Sequence, residues 1–267
     1  MTPKTGHHRL ALPGATPALY RLWDKLGCGK DNYLADEQLA ERLIRLLPDL
    51  GQAVSANRRF LCQAAADLAE QGIRQFVDLG AGLPSAHGTI HHSVQRVAPD
   101  ARIVYLDHAA TVVTHWQNLA AVEGVAATQG DVRSPAAVLA DEQLQRLIDV
   151  GQPVAVIMGA LTHLWPDDVA RHVIDGYLKD LVAGSALVLS QASTEAVGDE
   201  AIAAVARLCE RPIYARSRDE IHALFGALEM RAPGVIAVRD WGRAPKPFTN
   251  LDPPLLLGGV GLVRSRT

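Results

Sequence analysis

The sequence predicts an α/β chain in which a doubly wound, mostly parallel sheet is covered by helices on both faces and preceded by a helical cap. Three observations carry this reading. Short apolar runs alternate with helical stretches, which places the runs as parallel strands joined by crossover helices. The runs are continuously apolar, as strands buried on both faces require. Helical periodicity fills the chain from Ala18 to Gln71 before the first of them.

In chain order, "ALYRLWDKL" predicts the first helix, "LADEQLAERLIRLL", ended by Pro48, the second, and "QAVSANRRFLCQAAADLAEQ", ended by Gly72, the third. The strands follow as "QFVDL" (75–79), "RIVYLD" (102–107), "VAAT" (125–128), "VAVIM" (154–158) and "ALVLS" (186–190). Helices around 194–209 and 217–228 lead to "GVIAVRDW" and "LLLGGVGLVR". These last runs are separated only by the proline-rich "GRAPKPFTNLDPP", which leaves no room for a crossover helix, so they are expected to pair antiparallel. The expected sheet has seven strands, five parallel and two in a C-terminal hairpin. The expected organisation is a helical cap or lid over residues 1–72 and a Rossmann-like domain over 73–267.

Composition narrows the function. The chain has 267 residues, a formal net charge of −3 and no long basic run, so it carries no electrostatic footprint for nucleic acid. No apolar run reaches the roughly 20 residues of a membrane span, and the N-terminus has no apolar segment of signal-peptide length. A soluble protein of the cytoplasm is expected. Cys28, Cys62 and Cys209 lie far apart without CxxC spacing, which suits a reducing compartment and predicts neither disulfide nor zinc site. The pairs His7/His8 and His91/His92 have no acid or histidine at ligand spacing, so no metal is expected.

The chemistry concentrates in "FVDLGAGLPS" (76–85). A dinucleotide site brings a pyrophosphate to the glycine turn, and a carboxylate there repels it. Asp78 precedes Gly80 and Gly82, and Ser85 stands where a third glycine would be. S-adenosylmethionine (SAM) has the opposite demand, since it carries no phosphate and its methionine part presents an ammonium. The turn therefore favours SAM over NAD, although an aspartate there also reads as a turn cap. Asp107 closes the second strand, where an acid accepts from ribose hydroxyls. Asp131, with Val132 beside it after the third strand, stands where an acid faces the adenine amino group, or caps the helix ahead of Pro135. Three acids at three successive strand ends line the carboxyl edge of the sheet, where doubly wound folds bind ligands. By fold-level analogy, a seven-stranded sheet ending in an antiparallel hairpin is the usual SAM methyltransferase architecture.

"GKDNYLAD" (29–36), "ANRRFL" (56–61), "IRQFVDLGAGLPS" (73–85), "VAPDARIVYLD" (97–107), "GDVRSPAAVLAD" (130–141), "LTHLWPDD" (161–168) and "GSALVLSQAS" (184–193) together resemble a bacterial family of SAM-dependent methyltransferases first catalogued as a domain of unknown function. The resemblance covers nearly the whole chain. The KDN segment combined with a DxGxGLP turn is its specific part. It implies a Rossmann-like methyltransferase with extra N-terminal helices, binding SAM and releasing S-adenosylhomocysteine; most members have no assigned substrate. Three positions depart from the family pattern: Cys28 where a glycine is usual before the KDN, Lys25 where an aromatic residue is usual, and "DHAA" (107–110) where another acid and a proline follow the second-strand acid.

The remaining candidates follow from these placements. Lys30, Asp31 and Asn32 read as a polar loop folded over the cofactor, with Asp31 and Asn32 reading equally as caps of the helix from Tyr33. Arg58 and Arg59 read as a solvated helix face, with Arg58 reading also as a residue that reaches the methionine carboxylate from the N-terminal helices. Methyl transfer needs alignment more than acid–base machinery, and a base only when the acceptor arrives protonated. His163, after the fourth strand, is the candidate base; it reads equally as a histidine bonded to backbone at a helix start. Tyr20, Trp23 and Trp165 read first as packing residues, and Asp167 and Asp168 as helix first-turn acids. The expected function is in-line methyl transfer to a small-molecule acceptor, with a homodimer as the candidate assembly. The alternatives are another reaction at the same SAM site, or a catalytically silent SAM- or partner-binding module.

Overall fold

The computed structural model describes residues 14–119, 122–242 and 253–264. Its helices are α1 (Leu19–Leu26), α2 (Leu34–Leu46), α3 (Leu50–Glu70), α4 (Ile90–Gln95), α5 (Ala110–Leu119), α6 (Pro135–Leu139), α7 (Glu142–Leu147), α8 (Asp167–Leu178), α9 (Asp199–Leu208) and α10 (Arg218–Leu224). Its strands are β1 (Gln75–Leu79), β2 (Arg102–Asp107), β3 (Val125–Gln129), β4 (Val154–Gly159), β5 (Ala186–Ala192), β6 (Glu229–Met230), β7 (Ile236–Ala237) and β8 (Leu256–Leu262). Three-residue 3₁₀ turns lie at Thr162–Leu164 and Val238–Asp240.

The strands form one mixed sheet in the order β3-β2-β1-β4-β5-β8-β6, with β7 also on β8. The first five are parallel, and β8 returns antiparallel against β5. The chain order reverses between β1 and β4, and the ligand crevice of a doubly wound sheet opens at that switch. Every residue of β1 is buried, the polar Gln75 and Asp78 included, as a central strand covered on both faces requires.

The C-terminal hairpin takes a different form from the single strand expected from "GVIAVRDW". The seventh position is shared by two two-residue segments, β6 against Leu262 and Gly261, and β7 against Gly258 and Leu257. After Ala237 the chain turns into the 3₁₀ segment, which buries Val238 and Trp241 against α3 instead of continuing the ladder. Trp241 Nε1 donates to Asp67 at 3.2 Å, and its ring meets Phe60 edge-on at 5.1 Å. Burial of two apolar side chains against a helix outweighs a few edge-strand hydrogen bonds that water can replace. Most of the proline-rich loop expected there, residues 243–252, lies outside the described residues, as do His7 and His8.

One face of the sheet packs on α3, α4 and α5 through Phe60, Leu68, Phe76 and Ile103, and the other on α6, α7, α8 and α10 through Val104, Val156, Ile174 and Ile221. α1 and α2 form a smaller cluster around Leu22, Leu39 and Leu43, into which α3 sends Val54. α3 therefore belongs to both bodies: its first turns join the cap and the rest covers the sheet. The fully buried Asp36 ties α1 to α2, accepting from Ala18 N at 2.9 Å, Tyr33 N at 2.9 Å and Arg21 Nε at 2.7 Å. No helix among the described residues is long and apolar enough to cross a membrane.

Candidate functional site

The turn after β1 is built for close approach. Gly80 and Gly82 take φ values of 71° and 61°, the left-handed region that side chains disfavour. Gly80 N and Ala81 N both donate to Leu106 O, at 2.8 and 3.0 Å, which clamps the turn to the end of β2. Trp116 of α5, stacked on Tyr105 at 3.7 Å, donates from Nε1 to Gly82 O at 2.7 Å. A Cβ placed on Gly82 would meet nothing within 4 Å, so the turn faces open space.

Asp107 is part of the same clamp. One carboxylate oxygen accepts from Gly82 N at 3.0 Å and the other from Ala109 N at 2.9 Å. The side chain is buried, and each oxygen keeps a further lone pair. The acid expected to hold ribose hydroxyls thus also holds the turn on which they would rest.

Asp78 stands 2% exposed in the middle of β1's carboxyl half, with Arg58 of α3 facing it at 3.7 Å. That separation is an ion pair without a hydrogen bond. Arg58 Nη2 donates instead to Ala81 O at 3.0 Å. Burial raises the Asp78 carboxyl from 3.8 to about 6; Arg58 opposes the rise and the neighbouring Asp107 adds to it. Three buried polar atoms here have no hydrogen-bond partner: Asp78 Oδ2 and Arg58 Nη1, which face each other only as that ion pair, and Asn57 Oδ1. Buried polar groups are nearly always satisfied, so a cluster of three on one wall points to a ligand.

All three residues line one cavity with the glycine turn and Asp107. α1 closes its other side with Tyr20 and Trp23, and the segment after β4 contributes Leu161 and Leu164. An α-amino acid end group matches the orphaned atoms, its ammonium against Asp78 and Asn57 and its carboxylate against Arg58. The methionine part of SAM is such a group, so the residues present fit that cofactor.

Of the sequence-predicted residues, Asp78, Gly80, Gly82, Asp107 and Arg58 come together on this cavity. Lys30, Asp31 and Asn32 do not line it, although Gly29 beside them does. Neither Asp31 nor Asn32 caps α2; that end is held by Asp36 on Tyr33 N. Asp24 gathers the segment, accepting from Asp31 N and Asn32 Nδ2, each at 2.8 Å. Asp31 lies 3.9 Å from His115 of α5, across from α1. Asp131 does not line the cavity, and its carboxylate is taken by Arg133 at 2.7 to 3.1 Å, which lowers its pKa. Val132 is buried in the apolar cluster of the opposite face.

His163 is also absent from the lining. It is 7% exposed, and burial, with Arg216 nearby, lowers its pKa to about 4. Arg216 holds this segment through Thr162 O, Trp165 O and Asp167, so a histidine here sits inside a structural knot. The imidazoles that do line the cavity are His87, bonded to Ser55 Oγ at 2.9 Å, and His108. Asn57 and His87 escaped sequence reasoning. Asn57 lies one residue from Arg58 in a helix whose polar positions read as solvated, and His87 stands alone in a loop.

Residues 6–263 match the model of a family described as S-adenosyl methyltransferase. A crystal structure of a candidate methyltransferase from Thermobifida fusca YX is 32% identical and superposes with a TM-score of 0.88, covering 98% of this chain and 100% of that one. A DUF574 family protein from Streptomyces avermitilis MA-4680 is 30% identical with a TM-score of 0.86, covering 95% of this chain and 99% of that one. No curated protein matches the sequence significantly.

Proposed function

The chain belongs to the S-adenosyl methyltransferase family, and from that premise we propose that this SAM-dependent methyltransferase transfers the methyl group in line to a small-molecule acceptor, in the cavity between the glycine turn and α1. When bound, SAM supplies a methyl group on a sulfonium, already a good leaving group, so the protein's task is to bind, align and exclude water. Asp78 and Asn57 receive the ammonium and Arg58 the carboxylate. Asp107 receives the ribose hydroxyls while keeping the turn in place. Lys30, Asp31 and Asn32 act through the fold of the α1–α2 loop, with Gly29 at the cavity wall. Tyr20, Trp23, Leu161 and Leu164 give the remaining wall an apolar and aromatic character, which suits a small organic acceptor.

The carrying observation is the trio of buried polar atoms on Asp78, Arg58 and Asn57 that lack a hydrogen bond while lining the cavity. Calorimetry tests it. S-adenosylhomocysteine should bind and NAD should not, and Arg58→Met should weaken S-adenosylhomocysteine by ten- to a hundredfold, the loss of roughly 1.5–3 kcal/mol for bonds to a charged group. Unchanged affinity in a folded Arg58→Met protein would remove Arg58 from the site.

A further inference from the structure

A second pocket of about 320 Å³ lies on the other side of α3's polar edge, between α3, α4 and the 3₁₀ segment before Trp241. Arg59, Arg96, Arg239, His87, Ser93 and Gln63 line it, and no carboxylate is among its described lining residues. Arg59 and Arg96 form no ion pair or side-chain hydrogen bond with any described residue, whereas Asp67, one turn along α3 from Gln63, is occupied by Gln63 at 2.7 Å and Trp241 at 3.2 Å. The Arg59 and Arg96 guanidiniums, brought to one concavity with no carboxylate among its described lining residues, are suited to an oxyanion, which such groups bind through paired N–H donors. His87 lines this pocket and the cofactor cavity alike, so the two spaces share a wall.

We propose that the second pocket is an anion-binding subsite, taking the phosphate or carboxylate group of a small molecule that extends past His87 toward the cofactor cavity. The inference deepens the acceptor reading above and rests on it only for where the rest of that molecule lies. It gives the acceptor a chemical class, a small organic anion. A phosphate draws on several guanidiniums at once, whereas a carboxylate is satisfied by one, so the former is expected to bind more tightly here.

The test uses the full chain with saturating S-adenosylhomocysteine, titrated by calorimetry with inorganic phosphate and, separately, with acetate at matched ionic strength. Phosphate should bind, acetate more weakly. The double variant Arg59→Gln/Arg96→Gln should lose phosphate affinity by tenfold or more and keep its affinity for S-adenosylhomocysteine within twofold, because neither residue lines that cavity. The His87 imidazole resonance, assigned with His87→Gln, should shift with S-adenosylhomocysteine and again with phosphate. Phosphate affinity equal in the double variant, or heat reproduced by chloride at the same ionic strength, would overturn the subsite. A His87 resonance blind to phosphate would overturn its continuity with the cofactor cavity. Failure of S-adenosylhomocysteine to bind, with phosphate still lost in the double variant, would support the subsite and sink the cofactor assignment instead.

Discussion

At the scale of single residues, Asp78 is held ionised only at a cost, because it is buried. Its folded pKa of about 6 exceeds the ordinary 3.8, so its contribution to stability is fully present below pH 4 and is lost as pH rises through 6. A shift of about two units corresponds to roughly 3 kcal/mol at neutral pH. Asp78→Asn should therefore stabilise the free protein above pH 6, by about 1–3 kcal/mol in denaturant titrations, and bind S-adenosylhomocysteine more weakly. For the wild type, affinity should rise about fivefold from pH 5 to 6 as the carboxyl ionises, then decline above about pH 8 as the ligand's amino group loses its proton. Asp78→Asn should erase the acid limb; a limb that persists would assign it to another group. Asp107 makes a different demand, because it holds two backbone N–H groups as well as a prospective ribose. Asp107→Ala should lower S-adenosylhomocysteine affinity by ten- to a hundredfold and cost about 1–3 kcal/mol of stability, with Asp107→Asn losing less of both. Equal stability of Asp107→Ala and wild type on thermal unfolding would show that the turn does not depend on this clamp.

At the scale of elements, the α1–α2 connection carries its own strain. Cys28 adopts φ 61° with an exposed side chain, where the resembled family usually has glycine. Left-handed backbone costs a non-glycine residue roughly 1–2 kcal/mol, partly offset by the larger unfolded-state entropy of glycine. Cys28→Gly should thus raise stability by about 0.5–1 kcal/mol, an upward shift of a few degrees in Tm. Gly29 is the reverse case, since a Cβ there would stand 1.8 Å from Asp24 Oδ1. Gly29→Ala should dislodge Asp24 from Asp31 and Asn32 and speed hydrogen exchange across residues 26–33; exchange at the wild-type rate would separate Gly29 from that network. A second departure, Lys25, pairs with Glu37 at 2.6 Å and lies away from the cavity, so it leaves the pocket's shape alone.

At the scale of the whole molecule, α3 joins everything that matters. Val54 packs into the cap, Asn57 and Arg58 face the cavity at the glycine turn, Arg59 lines the second pocket, and Phe60 and Leu68 underlie the sheet. Phe60 is 1% exposed and meets Trp241 of the C-terminal segment, so it connects the ends of the described chain. Phe60→Ala should cost about 3–5 kcal/mol in global unfolding, with cap and sheet losing protection together. A variant in which only the cap melts would make α3 two independent halves.

The order of elements and the core of the candidate site were determined by the sequence itself. Continuous apolar runs, the change from helical to strand period at Gln71, and an acid ahead of two glycines are local facts, and parallel-sheet topology sends strand ends to one edge whatever the details. Asp78, Gly80, Gly82 and Asp107 were legible for that reason. Tertiary packing decided the rest. His163 and Asp131 lie at strand ends as expected, but neighbours distant or adjacent in the chain, Arg216 and Arg133, claimed their surroundings. The seventh strand position was divided because Val238 and Trp241 gain more by burial on α3 than by staying in the ladder. Asn57 and His87 reached the cavity through the rotation of one helix and the path of one loop, and no local pattern encodes either. Periodicity records which side of an element is buried; which partner buries it is a property of the folded whole.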